Sequence, residues 1–237
     1  IELVLSDLVV VEKRMERLDK DRKKLKDPQL DREFAVLERC KATLEADTPL
    51  RSLELTADEE KLIRGFQFLS QKPMLYVLNI GEEDATRLGE IEEKYRTGAL
   101  AGRARTAVAG ICGKIEAELA ELPAAEAADY LASYGLNESG LERLIKATYA
   151  LLGLMSFLTA GETEVRAWTI PQNSTAPKAA GAIHSDFEKK FIRAEVVNWK
   201  ALIDHNGYPG VREKGLLRLE GKEYIVKDGD VLVIRHG

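Results

Sequence analysis

The sequence has 237 residues, of which 45% are hydrophobic and 32% charged, so the chain is long enough for two modest domains. Its 40 acidic and 35 basic residues give a net charge of −5, which excludes a chain-wide basic surface and limits any nucleic-acid contact to a local patch. Cys40 and Cys112 lie far apart and outside any CxxC motif, which argues against a zinc site or a disulfide framework and favours a reducing, cytoplasmic compartment.

Residues 1–71 predict a helical hairpin followed by a third helix. Apolar residues recur at helical spacing from Leu5 onward, and a second apolar stripe begins after Pro28. We expect the charges between these residues to form a solvated face, although the basic tip Lys20–Lys26 could instead be a partner surface. The spacing of Thr56–Glu59 is that of a capping box and predicts where the third helix begins.

Residues 72–153 predict part of an α/β domain. Met74–Leu78 and Thr106–Cys112 are compact apolar runs typical of buried parallel strands, and helical segments follow each of them. Gly153 is the expected stop of the last helix. Two strands are too few for a stable sheet, so this sheet is expected to be incomplete.

Residues 154–237 predict a small, separate β-rich domain. A turn is indicated at Asp228–Asp230. The predicted strands lie in the segments MSFLTA, TEVRAWTI, FIRAEVV, LLRLEG and EYIVKDGDVLVIR.

A phosphate-binding loop is absent from these 237 residues. The pattern GxxxxGK[ST] does not occur, and the segment Gly110–Lys114 has the wrong spacing, with Ile115 where a Ser or Thr is needed. Without that loop, phosphoryl transfer has no platform, so we assign no catalytic residue and expect no nucleotide hydrolysis by this chain alone.

Asn79 and Glu82 follow the first predicted strand and could read a nucleotide base. A side-chain amide offers both a donor and an acceptor, and it can therefore pair with the exocyclic amine and ring nitrogen of adenine. Cys112, Gly113 and Lys114 follow the second strand and could contact the same base. The alternatives are that Asn79 caps a turn and that Lys114 is an ordinary exposed residue in the first turn of a helix.

His184 is followed by Asp186 but lacks a Ser or Cys nucleophile, so the pattern favours a turn or the start of a helix over catalysis. Lys189, Lys190 and Arg193 form a basic cluster beside two phenylalanines that could contact phosphate backbones; a solvated strand edge is the alternative. Both tryptophans are expected to pack rather than to stack on bases.

Taken in order, several stretches resemble the Obg-like ATPase (YchF) family of translation-factor-class P-loop NTPases. The resemblance implies three parts: a coiled-coil insert at 1–71, the end of the P-loop G domain at 72–153, and a TGS domain with a ubiquitin-like β-grasp fold at 154–237. The matching stretches are ELVLSDLVVVEKRMERL, KPMLYVLNIGEED, GICGKIEAELAEL, GLNESGLERLIKATYALLGLMSFLTAGETEVRAWTI, APKAAGAIHSDFEKKFIRAEVV and EGKEYIVKDGDVLVIR.

The resemblance also implies a role for each predicted loop. The family replaces the NKxD motif of GTPases with NxxE, here Asn79 to Glu82, and reads adenine through the Asn and the backbone of the next residue, Ile80. Its last motif, often Ser-Ala-Lys, corresponds to Cys112-Gly113-Lys114, a departure that favours a backbone role over a role for the lysine. We expect the phosphate loop and the Mg²⁺ ligands to lie upstream of residue 1.

These implications lead to a ribosome-associated NTPase that binds and hydrolyses ATP, with GTP bound more weakly. Ribosomal RNA is the expected macromolecular partner, contacted by Lys189, Lys190 and Arg193, and neither a membrane nor DNA is expected. One alternative is a non-enzymatic RNA-binding or ribosome-binding adaptor. The other is a GTPase, disfavoured because residue 82 is Glu and residue 80 is not Lys.

Overall fold

The computed structural model describes residues 1–161 and 163–237 and divides into two compact units, Ile1–Leu151 and Leu152–Gly237. Both units combine helices with a sheet. The first 71 residues contain helices and no strand among the described residues, and the strands lie in the rest of the chain, as the sequence predicted. The predicted boundary between residues 71 and 72 falls inside the first unit and stays a prediction. Across the described residues, no helix is long and apolar enough to cross a membrane.

The first unit begins with the predicted helical hairpin. Helix α1 spans Glu2–Lys24 and helix α2 spans Pro28–Glu45. The turn between them ends at Asp27, whose side chain accepts a hydrogen bond from the backbone N–H of Gln29, while Pro28 supplies the fixed φ that suits a first helical residue. The fully buried residues of the hairpin follow the apolar stripes: Val11, Leu18, Leu37 and Cys40.

Helix α3 spans Ala57–Ile63 and begins with the predicted capping box. The Thr56 hydroxyl accepts from the Glu59 N–H at 3.3 Å, and the Glu59 carboxylate accepts from the Thr56 N–H at 2.8 Å. The helix is short, because a 3₁₀ turn at Arg64–Phe66 follows it and Gln67 adopts a left-handed conformation.

Asp7 connects α1 to the chain that leaves α3. Its carboxylate is only 3% exposed and accepts hydrogen bonds from the backbone N–H groups of Leu69 at 2.9 Å and Ser70 at 2.7 Å. The Ser70 hydroxyl in turn accepts from the Leu50 N–H at 3.2 Å. The sequence placed the charges of α1 on a solvated face, and for Asp7 that expectation was wrong: a buried carboxylate here satisfies two amides that no secondary structure pairs.

The sheet of the first unit contains two parallel strands, β1 at Met74–Asn79 and β2 at Thr106–Ile111, paired in register along six residues. Helix α4 at Leu88–Thr97 lies between them in sequence. The helices after β2 are α5 at Gly113–Leu119, α6 at Ala124–Ser133 and α7 at Gly140–Leu152.

The predicted bounds differ from the structure in two places of this α/β region. The second strand stops at Ile111, because Cys112 already caps α5. Helix α6 was not predicted: its alanine-rich sequence has no clear apolar stripe, and Pro123 and Gly135 (φ +70°) delimit it. The predicted stop at Gly153 is confirmed, since this residue has φ +63° directly after α7.

The second unit contains five strands: β3 at Leu154–Ala160, β4 at Val165–Pro171, β5 at Phe191–Asn198, β6 at Arg218–Glu220 and β7 at Asp230–His236. They form one sheet with the order β4-β3-β7-β5-β6. Strands β3 and β7 pair in parallel, and the other neighbours are antiparallel. This arrangement, with a helix packed on one face of the sheet, is the expected β-grasp fold. The helices are α8 at Ala176–Ile183, α9 at Ser185–Lys189, α10 at Trp199–Asp204 and α11 at Tyr208–Glu213.

The segment before β7 contains less strand than the sequence predicted. Between β6 and β7 the described backbone forms one isolated bridge, from Ile225 to Thr175. The chain then turns around Asp230, whose 2%-exposed side chain accepts from the Lys227 N–H at 2.9 Å and the Tyr224 hydroxyl at 2.7 Å. This local network competes with ladder pairing and keeps the predicted strand short.

We predict that Asp7→Ala lowers the free energy of unfolding of this chain by about 2–3 kcal/mol, because the variant leaves the Leu69 and Ser70 amides without an acceptor. Asp7→Asn retains one acceptor oxygen and should lose about half as much. Urea unfolding followed by far-UV circular dichroism measures both. Asp58→Ala, whose side chain is 91% exposed, is the matched control, and an equal loss in this control would contradict the role of Asp7.

Candidate functional site

The ends of β1 and β2 lie side by side, because Asn79 pairs with Ile111 in the strand register. The Ile80 N–H donates to the Ile111 carbonyl at 2.9 Å and extends the pairing by one residue. Beyond it, the Asn79 side chain crosses to the next element: its Oδ1 accepts a hydrogen bond from the Gly113 N–H at 2.9 Å. The structure thus brings together the two loops that the sequence analysis expected at the same base.

Gly113 occupies a position where a side chain would crowd Asn79. A Cβ there would lie 3.1 Å from Oδ1 of Asn79, closer than most Cβ contacts. The Gly113 N–H belongs to the first turn of α5 and has no partner within the helix, so Asn79 supplies the acceptor that the helix start lacks. The absence of a side chain therefore permits the close approach of the two loops.

Cys112 and Ile80 support this edge from behind rather than facing outward. The Cys112 side chain is 3% exposed and packs with Ala85, Ile115 and Leu131. Ile80 packs partly buried against the same cluster. Only the backbone of these two residues is therefore suitable for contacting a ligand, as the resemblance implied for both.

Glu82 and Lys114 form an ion pair across the edge. The distance between Lys114 Nζ and Glu82 Oε2 is 2.6 Å, and this hydrogen bond raises the pKa of the lysine above its usual range. The second carboxylate oxygen accepts from the Tyr134 hydroxyl at 3.5 Å. Lys114 is exposed and lies in the first turn of α5, which is where the sequence analysis would place an ordinary surface residue. The structure adds that it is paired with Glu82. Sequence analysis missed Tyr134, which lies just after the unpredicted helix α6.

The Asn79 side chain offers further hydrogen-bonding groups at this edge. Asn79 Oδ1 has a second lone pair, and Nδ2 is the remaining donor of that side chain. Among the described residues, no three or more His, Cys, Asp or Glu side chains come together in a way that could hold a metal ion. The hydrogen-bonding groups of this edge are therefore suited to contacting a planar polar group.

The second predicted cluster lies in the second unit. Lys189 ends α9, Lys190 follows it, and Arg193 lies exposed on β5, opposite Arg235. The neighbouring aromatic rings are occupied by packing: Phe191 is 3% exposed, and Phe187 stacks on His236 with centroids 4.4 Å apart. These cations thus have no free aromatic platform beside them.

His184 and Trp168 have structural partners, as the sequence favoured. His184 Nδ1 accepts from the Asp186 N–H at 3.2 Å and caps α9. The Trp168 indole N–H donates to the Thr159 hydroxyl at 2.9 Å.

Comparisons with known proteins agree with this arrangement of elements. Residues 154–237 match the family described as YchF-GTPase_C, protein of unknown function (DUF933). The chain is 44% identical over 235 residues to the "Ribosome-binding ATPase YchF" of Bacillus subtilis, covering 99% of this chain and 64% of that protein. It is 43% identical to the protein of the same name from Escherichia coli O157:H7, covering 98% of this chain and 62% of that protein.

By these matches, the chain corresponds to the C-terminal part of YchF-family proteins. It is also similar to the solved structure of the Schizosaccharomyces pombe YchF GTPase, with 29% identity, a TM-score of 0.78, and coverage of 99% of this chain and 63% of that one. The chain thus spans a little under two thirds of the length of these YchF proteins. The names of the relatives differ in the nucleotide: the two bacterial proteins are named ATPases and the Schizosaccharomyces pombe protein is named a GTPase.

We predict that Asn79→Ala exposes the Gly113 N–H to solvent and accelerates its hydrogen exchange by at least about fivefold, equivalent to ~1 kcal/mol. Asn79→Asp retains the acceptor and should keep the protection. Amide exchange by NMR measures both variants. The Ile80 amide, bonded to a backbone carbonyl, is the internal control, and unchanged Gly113 exchange in Asn79→Ala would show that this hydrogen bond is not formed in solution.

Proposed function

We propose that this chain is the base-recognition and accessory part of a cytoplasmic, ribosome-associated P-loop NTPase that binds and hydrolyses ATP. The observation that carries the proposal is the hydrogen bond from Gly113 to Asn79, which assembles the two strand-end loops into one polar edge. The names of the bacterial relatives, which are ribosome-binding ATPases, support the choice of ATP and of the ribosome.

Adenine fits the groups of this edge. Nδ2 of Asn79 can donate to N7 of the base, and the second lone pair of Oδ1 can accept from the 6-amino group, while the Ile80 backbone lies next to both. Guanine carries a carbonyl oxygen at position 6, which would face Oδ1 acceptor to acceptor. Oδ1 of Asn79 therefore distinguishes adenine from guanine, whereas Nδ2 can donate to N7 of either purine.

Glu82 adds a second reason to disfavour guanine. A carboxylate that reads guanine must accept from its N1 and N2 hydrogens, whereas Glu82 is oriented by Lys114 and Tyr134, and the lysine partly compensates its charge. ATP is therefore the preferred nucleotide and GTP the weaker one. The phosphate loop and the Mg²⁺ ligands belong to a segment outside these residues, so this chain alone does not hydrolyse the nucleotide.

An adaptor that binds RNA or the ribosome without any nucleotide is the rival from a different class. Ion pairs along the hairpin, such as Arg14–Glu33 at 2.7 Å, compensate part of its charge. This favours a structural role of the hairpin over a binding surface. Binding of ATP is the property that separates the two hypotheses, since the adaptor needs none.

We predict that Asn79→Ala narrows the difference in binding free energy between ATP and GTP by about 1–3 kcal/mol, because the variant removes the acceptor for the 6-amino group. Asn79→Asp should weaken ATP binding through loss of the donor but keep the preference for ATP. Calorimetry on a protein of full family length measures both nucleotides. Asn137→Ala, an exposed residue before α7, is the matched control. Equal affinity of the unmodified protein for ATP and GTP would overturn adenine selection.

We predict that reversing the charge of Lys189, Lys190 and Arg193 to Glu weakens co-sedimentation with ribosomes and reduces its salt dependence, because phosphate contacts release counterions. Reversal of three other exposed lysines of the second unit, Lys200, Lys214 and Lys222, is the control with the same charge change. Unchanged sedimentation of the first variant would remove this surface from the ribosome-binding proposal.

A further inference from the structure

A concave groove lies at the edge of the first unit's sheet that is opposite Asn79. Its cavity of about 570 Å³ is lined by α3, by the turn that follows it, and by Pro73 and Arg105. These two residues directly precede Met74 and Thr106, the first residues of β1 and β2. Since each strand has six residues at about 3.3 Å per residue, the groove lies on the order of 20 Å from the base-reading edge.

The groove is strongly basic in a chain whose net charge is −5. Four cations line it, Lys61, Arg64, Lys72 and Arg105, against a single acid, Glu60. Lys61 is paired with Asp58 at 2.9 Å. Within the part of the chain that the structure describes, the side chains of the other three, Arg64, Lys72 and Arg105, make no ion pair.

Two backbone conformations in the groove are unfavourable for the residues that adopt them. Gln67 and Arg105 have φ of 51° and 48°, in the left-handed region. The other described non-glycine residues with positive φ are Asp or Asn, whose short polar side chains tolerate this conformation. Long side chains held in strained positions concentrate at binding sites, and here both line the same cavity.

A neighbouring cavity of about 420 Å³ extends the groove. It shares Glu60, Gln71 and Arg105 with the first cavity and adds one further cation, Arg51, and one further acid, Glu54. Arg51 donates from Nη1 to the Ser70 carbonyl at 3.3 Å, but its buried Nε has no hydrogen-bond partner in the described structure. A row of cations along an extended groove matches a chain of phosphates better than a single anion.

We propose that this groove binds the phosphate backbone of RNA, with Arg64, Lys72 and Arg105 as the contacting residues. The choice of RNA as the polyanion rests on the ribosome association proposed above. The groove holds no base-reading platform, since its one aromatic residue, Phe68, is 2% exposed. Contacts to phosphates alone position a protein on a nucleic acid without reading its sequence, so the binding is independent of sequence.

The first test is fluorescence anisotropy of the 237-residue chain with a short labelled RNA at several salt concentrations. In the triple variant Arg64→Gln, Lys72→Gln, Arg105→Gln we expect affinity to fall about tenfold and the salt slope to become shallower by about 2, since three contacts to a single strand each contribute ~0.7. The matched control removes one lysine and two arginines of the hairpin that are exposed and outside ion pairs: Lys13, Arg17 and Arg32, each changed to Gln. Equal losses in both triple variants, or none in the first, would overturn the proposal.

The variant Arg105→Asn tests the contribution of the Arg105 charge to RNA binding without a loss of stability. Asn accepts the left-handed conformation more readily than Arg, so the variant should be at least as stable as the original chain and yet bind RNA more weakly. Unchanged RNA affinity in this stable variant would remove Arg105 from the site. Chemical-shift titration with tripolyphosphate adds a further check: saturation of the groove amides without any loss of RNA binding in the triple variant would assign the groove to a small anion instead.

Co-sedimentation with ribosomes distinguishes failure of this inference from failure of the proposed function. If the unmodified chain sediments and the groove variant sediments equally well, the groove is not the RNA contact and the ribosome association stands. If the unmodified chain does not sediment, the ribosome association falls, and the anisotropy measurement alone decides whether the groove binds RNA.

Discussion

The hydrogen bond from the Gly113 N–H to Asn79 Oδ1 is the contact on which the arrangement of the first unit's polar edge depends. It satisfies an amide that the start of α5 leaves without a partner, and it fixes the rotamer of the side chain that faces the edge. One acceptor lone pair thus has a structural role, and the amide nitrogen and the second lone pair remain for recognition. Under the proposed function, one side chain would have both the structural role and the role in base selection, which is why the donor and the acceptor of Asn79 have to be tested separately.

A sheet of two strands needs support from outside the ladder, and the first unit obtains it from a partly buried ion pair. Glu92 of α4 accepts from the Gly110 N–H of β2 and from Arg143 of α7, both at 2.6 Å. Arg143 also donates to the Gly110 carbonyl at 3.4 Å. Side chains therefore take the place of a further strand beside β2. Because Glu92 is 12% and Arg143 24% exposed, removal of either residue would leave a poorly solvated charge.

The sequence predicted those features that depend on local pattern. Apolar periodicity located the hairpin, compact apolar runs located β1 and β2, and the capping box located the start of α3. Of the candidate base site, it identified the residue types at both strand ends. It did not identify Asp7, whose partners lie more than sixty residues away, or the pairing of Glu82 with Lys114 and Tyr134. These contacts join segments distant in the chain, and neither spacing nor composition encodes which segment meets which.

The length of the Glu82 side chain gives a physical account of why the proposed site would prefer adenine. An aspartate at this position would hold its carboxylate one methylene closer to the backbone, whereas Glu82 reaches Lys114 at 2.6 Å and Tyr134 at 3.5 Å. A carboxylate neutralised in this way is a poor acceptor for the two hydrogens by which guanine is read. Selectivity at the proposed site would then have two contributions. Asn79 Oδ1 accepts a hydrogen bond from the 6-amino group of adenine, and the Glu82 carboxylate, held by Lys114 and Tyr134, accepts poorly from guanine. Since an exposed ion pair contributes little energy, the contribution of Asn79 to selectivity is the larger one, and the ion pair of Glu82 adds a smaller contribution against guanine.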